Sequence, residues 1–124
     1  MQLRCLLVDD NAQFLDAARR LLEHGGLDVV GTATTSAEAL RSARELRPDV
    51  TLVDVHLGEE SGFDLAHQLR QDSHPAVILT SATPVEEFEE SLADSPALGF
   101  IVKSALSAGI INELVGAVRS SSSG

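Results

Sequence analysis

The 124-residue chain contains one cysteine, one lysine, and neither tryptophan nor tyrosine. A single cysteine, Cys5, excludes an internal disulfide framework and any cysteine-rich zinc site. Inside an apolar run it reads as a small buried hydrophobe. Basic residues are few: nine against nineteen acids, a formal charge of -10. That balance argues against direct nucleic-acid contact, which clustered Lys and Arg carry. Arg41, Arg44 and Arg47 line up on one helical stretch, but Glu38 and Glu45 dilute them. His24, His56, His67 and His74 lack mutual metal-ligand spacing. No apolar run approaches the roughly 18 residues that a membrane helix needs. The opening residues meet Asp9 and Asp10 after four apolar positions, too few for a signal peptide. A cytoplasmic protein without membrane contact is expected.

With 44% apolar and 23% charged residues, the chain can bury one sizeable core. Short runs rich in Val, Ile and Leu recur at Leu3–Val8, Asp28–Ala33, Val50–Val55, Ala76–Thr80 and Phe100–Val102. Each is too short for an ordinary helix. Between them lie helical stripes: Phe14, Leu15, Ala18, Leu21 and Leu22; Ala37, Leu40, Ala43 and Leu46; Phe63, Ala66 and Leu69. Val85, Phe88 and Leu92 form a weaker fourth, and Leu106, Ile110, Ile111, Leu114 and Val118 a fifth. Gly25-Gly26 can end the first helix, Ser36 can cap the second, and Pro84 suits the first turn of the fourth. Five strand–helix pairs with continuous apolar strands predict an α/β fold, a doubly wound five-stranded parallel sheet covered on both faces. One domain is expected over 1–119, with 120–124 as a linker or tail.

Sites on such sheets form at the carboxyl ends of the strands, where strand order reverses. Strand one ends in Asp9-Asp10, strand two in the uncharged Thr34-Thr35, strand three reaches Asp54, strand four ends in Thr80-Ser81, and strand five in Lys103. Each has a bland reading: Asp9 or Asp10 could cap helix one, Thr80 is an ordinary strand residue, and Lys103 could be solvated. Asp54 is harder to dismiss, because a carboxylate interrupts the run Leu52-Val53-Asp54-Val55. Three carboxylates brought together raise one another's pKa unless a cation compensates them. Oxygen donors alone suit a hard cation such as Mg2+ or Mn2+. A metal and an adjacent ammonium would share the charge of a phosphoryl group, with one Asp as nucleophile.

At these residues the chain resembles the receiver domain of two-component response regulators, over residues 1 to about 119. The resembling segments are Leu6-Leu7-Val8-Asp9-Asp10-Asn11, Pro48 to Leu57 through Ser61-Gly62, Pro75 to Ala82, and Gly99-Phe100-Ile101-Val102-Lys103. The resemblance implies a flavodoxin-like (βα)5 fold with strand order 2-1-3-4-5. It implies Asp54 as phosphoacceptor from a sensor histidine kinase or phosphotransfer protein. It assigns Mg2+ to Asp9, Asp10, Asp54 and the His56 backbone carbonyl, phosphoryl stabilisation to Thr80 and Lys103, and switching to Thr80 and Phe100. Two departures stand out: Gly58 where the family often has Pro, and Ser104 where a cis-proline often follows the lysine. Neither change is expected to touch a predicted ligand. Asp28–Ala33 and the Lys103-Ser104 pair look most like receivers of helix-turn-helix (LuxR/FixJ-type) transcriptional regulators.

On that reading, phosphorylation is a local electrostatic event that reshapes the surface of helix four, strand five and helix five. That surface carries Glu86, Glu87, Glu89 and Glu90, either a solvated face or a contact for a basic partner. Few bases lie nearby, which disfavours a charge-paired dimer through it; a homodimer formed on phosphorylation is an open alternative. His56 at the site rim could tune dephosphorylation. Rival readings are a stand-alone regulator, a phosphorylation-independent docking module, and a Mg2+-dependent phosphatase. The phosphatase would want its nucleophile on strand one followed two residues later by Asp, where Asn11 and Ala12 follow Asp10. A nucleotide-binding module would want a Gly-rich loop after strand one, where Asp-Asp-Asn-Ala-Gln stands. No catalytic turnover beyond self-phosphorylation and self-dephosphorylation is expected.

Overall fold

A computed structural model describes residues 2–72 and 75–122, the last six as backbone only. His74 and the Val118 side chain lie outside that description. Five strands, β1 Arg4–Val8, β2 Asp28–Ala33, β3 Val50–Asp54, β4 Ala76–Ser81 and β5 Gly99–Val102, form one sheet. Helices α1 Ala12–His24, α2 Ser36–Leu46, α3 Gly62–Asp72, α4 Glu89–Ala93 and α5 Ala108–Ser122 connect and cover it. The strand order is 2-1-3-4-5 with every neighbouring pair parallel, as expected. The α5 backbone runs on through Ser122. No helix among the described residues is long and apolar enough to cross a membrane.

Strand periodicity explains both the core and the site. Successive side chains alternate faces, so Cys5 and Leu7, Val50 and Leu52, Ile78, and Ile101 enter one apolar cluster against α1 and α5. Leu6 and Val8, Val53 and Val55, and Val77 and Leu79 enter a second against α2 and α3. Continuing the first face by one step reaches Asp9, Asp54, Thr80 and Lys103. All four polar residues thus emerge where the same apolar face ends, at the edge beside the reversal between β1 and β3.

Local chemistry departs from the expected caps in two places. The Asn11 side chain caps α1, accepting from the Gln13 and Phe14 N–H groups at 3.0 and 3.1 Å, so neither Asp9 nor Asp10 is spent on that role. Thr35 rather than Ser36 caps α2, its hydroxyl accepting from Glu38 N–H at 3.2 Å. The Ser36 N–H instead donates to Glu60 at 3.0 Å. A short hairpin, His56–Leu57 with Glu60–Ser61, was not expected. Gly58, with φ +62°, opens its two-residue loop, a position that favours glycine.

The fourth helix is weaker than its stripe suggested. Val85–Phe88 is a 3-10 turn, and α4 proper has five residues. Glutamates 86, 87, 89 and 90 place like charges three and four apart, which disfavours an α-helix. No side chain caps either segment. Phe88, at the junction, packs against the second cluster with Phe63, Leu92 and Phe100.

Candidate functional site

Asp9 and Asp54 are almost fully buried, at 1% and 6% exposure, whereas Asp10 faces solvent. Each has one oxygen fixed by a backbone N–H: Asp9 Oδ1 by Asn11 at 2.9 Å, Asp10 Oδ2 by Gly58 at 3.0 Å, and Asp54 Oδ1 by His56 at 3.2 Å. One oxygen from each of the three lies within 4.8 Å of the others. Lys103 Nζ bridges two of them, 2.7 Å from Asp9 Oδ2 and 3.1 Å from Asp54 Oδ2. Lys103 Nζ also lies over the Phe14 ring, with the centroid 4.3 Å away. The buried Thr80 stands opposite Asp54 in the β3–β4 register.

Three carboxylates and one ammonium leave an excess of negative charge. The donor set is all oxygen, compact and partly dehydrated, which fits a hard divalent cation such as Mg2+ or Mn2+ and not a soft one. Burial pushes the Asp9 carboxyl above the usual carboxylate range, and the Asp54 charge adds to the effect. The Lys103 and Asn11 hydrogen bonds oppose it without cancelling it. Burial alone would lower the lysine, but its hydrogen bonds to Asp9 and Asp54 outweigh that and hold Lys103 above its ordinary value.

The Asp9 shift gives a signed prediction for the chain freed of divalent ions with a chelator. A carboxyl with a raised folded-state pKa binds its proton more tightly folded than unfolded. The native chain therefore gains stability as pH falls through the raised value toward the ordinary aspartate range, and loses it as pH rises. Asp9→Asn removes the buried charge. It is expected to raise Tm at neutral pH by a few degrees, the scale on which ~1 kcal/mol shows in a chain of this length. Thermal melts from pH 7.5 down to about 4 should show the variant's advantage shrinking; a constant gap contradicts the assignment.

Gly58 corrects one sequence expectation. Replacing the family's common proline does touch a predicted ligand, because the Gly58 N–H holds Asp10. Proline has no N–H and cannot adopt φ +62°. Gly62 is the floor of the site: its N–H donates to Val55 O at 2.9 Å. A Cβ there would overlap the Asp54 carbonyl oxygen and approach Val55 Cα to 2.7 Å. At Ser104, where cis-proline was the family alternative, no cis bond occurs among the described residues, and Lys103–Ala105 forms a 3-10 turn.

The remaining predicted residues sit on a path leading away from the carboxylates. His56 is exposed at the rim, its ring edge-on to Phe88 at 5.7 Å. Phe88 lies 6.0 Å from both Phe63 and Phe100. Phe100 is half-buried and lines an apolar groove of about 690 Å3 with Val85, Ile101, Ile110 and Leu114. The sequence places Phe14 only on a helical stripe; its position over Lys103 follows from the way α1 and β5 dock. The hairpin had a readable signal, a glycine at the start of a two-residue loop.

Comparison with known proteins agrees with this geometry. The family model for the response regulator receiver domain matches residues 5–115. Response regulator GacA of Pseudomonas viridiflava is 37% identical over 120 residues, covering 94% of this chain and 54% of that protein. This chain thus spans about half the length of the curated GacA relatives it matches. The receiver domain of the putative response regulator NarL from Mycobacterium tuberculosis superposes with TM-score 0.76 at 28% identity, covering 99% and 98% of the two chains. A LuxR-family two-component response regulator from Aurantimonas sp. SI85-9A1 gives 0.81 at 28% identity, covering 94% and 87%. With the family model matched from β1 into α5 and the acidic edge and lysine in place, the chain belongs to the response regulator receiver domain family.

Proposed function

We propose that this chain is a phosphorylation-controlled switch in which Asp54 accepts a phosphoryl group from a histidine kinase or phosphotransfer protein. The observation that carries the reading is the single lysine, held between Asp9 and Asp54 on the sheet edge. An Asp54 oxygen attacks phosphorus, the new P–O bond forms as the donor's bond to phosphorus breaks, and the donor leaves with the electron pair. The His56 N–H fixes Asp54 Oδ1 while Lys103 compensates Oδ2. After transfer the same ammonium pairs with phosphoryl oxygens, and the Thr80 hydroxyl donates to them. Asp9, Asp10, Asp54 and the His56 carbonyl are the groups that would hold Mg2+, whose contribution is to neutralise charge on the phosphoryl oxygens. The reaction leaves a covalent product, so the chain is a signalling acceptor and not a turnover enzyme.

Movement of Thr80 toward the phosphoryl group would free space that Phe100 can enter. The aromatic chain Phe100–Phe88–His56 and the groove beside β5 and α5 would change with it. Residues 1–119 would form the receiver unit, acting in the cytoplasm. The output would be an attached DNA-binding domain, by analogy with the LuxR-family relative and with the longer GacA-type relatives, of which this chain covers 54%.

Intact mass after incubation with acetyl phosphate tests the reading. One added phosphoryl group that requires Mg2+ and disappears in Asp54→Asn is the expected result. An unmodified chain under those conditions overturns the small-donor switch, and continuous acetyl phosphate hydrolysis without an adduct favours a phosphatase.

A further inference from the structure

We propose that Phe14 is a positioning residue for Lys103, its ring face closing the side of the ammonium that the carboxylates leave open. This role rests on the phosphoacceptor reading above. Lys103 Nζ has Asp9 Oδ2 at 2.7 Å, Asp54 Oδ2 at 3.1 Å and the Phe14 centroid at 4.3 Å, and its side chain is 19% exposed. A lysine head sits on a flexible four-carbon stem. With an open third side it would exchange its carboxylates for water. The ring instead offers its negative face, an attraction that strengthens when the cation is dehydrated.

The ring is itself held in place. Phe14 lies in the first turn of α1, where its N–H donates to the capping Asn11 side chain at 3.1 Å, and its half-buried ring packs against the first core cluster. The acidic Asp9-Asp10 pair and the ring are therefore fixed by one strand-to-helix turn. As Asp54 attacks phosphorus and the leaving group departs with the bonding pair, negative charge spreads over the phosphoryl oxygens. Lys103 must then shift from Asp54 to those oxygens without escaping to solvent. A ring wall permits sliding between anions while blocking the outward path, which is preorganisation of the kind that lowers barriers.

The single lysine makes the test direct, since the folded chain has one lysine ε-methylene signal in proton–carbon NMR. Protons above a ring face shift upfield, so the native signal and that of Phe14→Tyr should be displaced, and that of Phe14→Leu should return to the ordinary lysine position. Acetyl phosphate labelling, followed by mass in saturating Mg2+, should slow about two- to thirtyfold in Phe14→Leu and stay within about twofold of native in Phe14→Tyr. Site-specific pentafluorophenylalanine at position 14 keeps the ring's shape while inverting its quadrupole. It should slow labelling as leucine does with an unchanged melt, which separates the cation contact from packing. Native-rate labelling in both the leucine and fluorinated chains, with the native chain labelling normally, overturns the role of Phe14 alone. An undisplaced native lysine signal also overturns it. A native chain that takes no label removes the phosphoacceptor reading and this role together.

Discussion

Lys103→Met is expected to abolish useful phosphorylation and to cost a large part of the fold's stability at neutral pH. The side chain fills space similar to lysine but leaves Asp9, 1% exposed, and Asp54, 6% exposed, facing each other without their shared cation. Removing one partner of a buried ion pair costs ~3–5 kcal/mol; the partial exposure of Lys103 places the expected loss near the lower end. Chemistry suffers more, because a charged group aimed at developing phosphoryl charge is worth about 10^2–10^3 in rate. The pH dependence distinguishes this cause from a packing defect. Lys103 itself is held above its ordinary value, so the stability it lends is complete below the ordinary lysine pKa and lost only as pH rises through the higher folded value. Between pH 5 and 8 the lysine's own charge therefore contributes a constant amount, and the native chain's pH dependence there comes from Asp9. In Lys103→Met the uncompensated Asp9 binds a proton more readily still, so the variant should recover stability as pH falls. Urea melts at two pH values read this. The double variant Asp9→Asn, Lys103→Met should regain much of the loss, since the two residues share one interaction. A variant as stable as the native chain in chelator would show that the ion pair is incidental.

Gly62→Ala is the second large effect, and it arises from one methyl group. The added Cβ would overlap the Asp54 carbonyl oxygen, with Val55 Cα at 2.7 Å and Asp54 C at 2.8 Å. These are backbone atoms at the end of β3 and cannot swing aside as a side-chain tip could. Either the start of α3 lifts or the end of β3 moves, and the second displaces Asp54 from Lys103 and from the His56 N–H. Overpacking of this kind costs ~1–3 kcal/mol, and labelling should fall with it. Gly109→Ala is the matched control. Its nearest neighbour would be Ser107 Oγ at 3.8 Å, and the position lies in α5. There alanine should be neutral or stabilising by up to ~1 kcal/mol. Equal behaviour of the two alanines in melting and labelling would contradict the close approach beneath Asp54.

Much of this architecture could be read from residue order because strand periodicity is strict. Leu7 to Asp9, Leu52 to Asp54, Ile78 to Thr80 and Ile101 to Lys103 are each one step along the same face, so apolar strands that end in polar groups announce a shared edge. What was not legible depends on contacts between distant elements. The Phe14 ring reaches Lys103 only because α1 and β5 dock on one face, and nothing in the run Gln13-Phe14-Leu15 encodes that. The fourth helix is shorter than its weak apolar stripe for a different reason. Its apolar stripe was real, but repulsion among four glutamates and the missing caps outweighed it. Asn11 caps α1 although two acidic candidates stand beside it, and the position of its side chain frees both for the site. At Gly58 the residue order shows only the loss of a proline, whereas the donor gained by Asp10 is the larger consequence.

The most direct measurement is the location of the label. Borohydride reduces an aspartyl phosphate to homoserine, so peptide mapping after acetyl phosphate treatment and reduction reports the modified position. The account predicts one modified residue, at 54, formed with Mg2+ and absent in chelator. Modification at Asp9 or Asp10, or labelling of residue 54 that is indifferent to chelation, would contradict it.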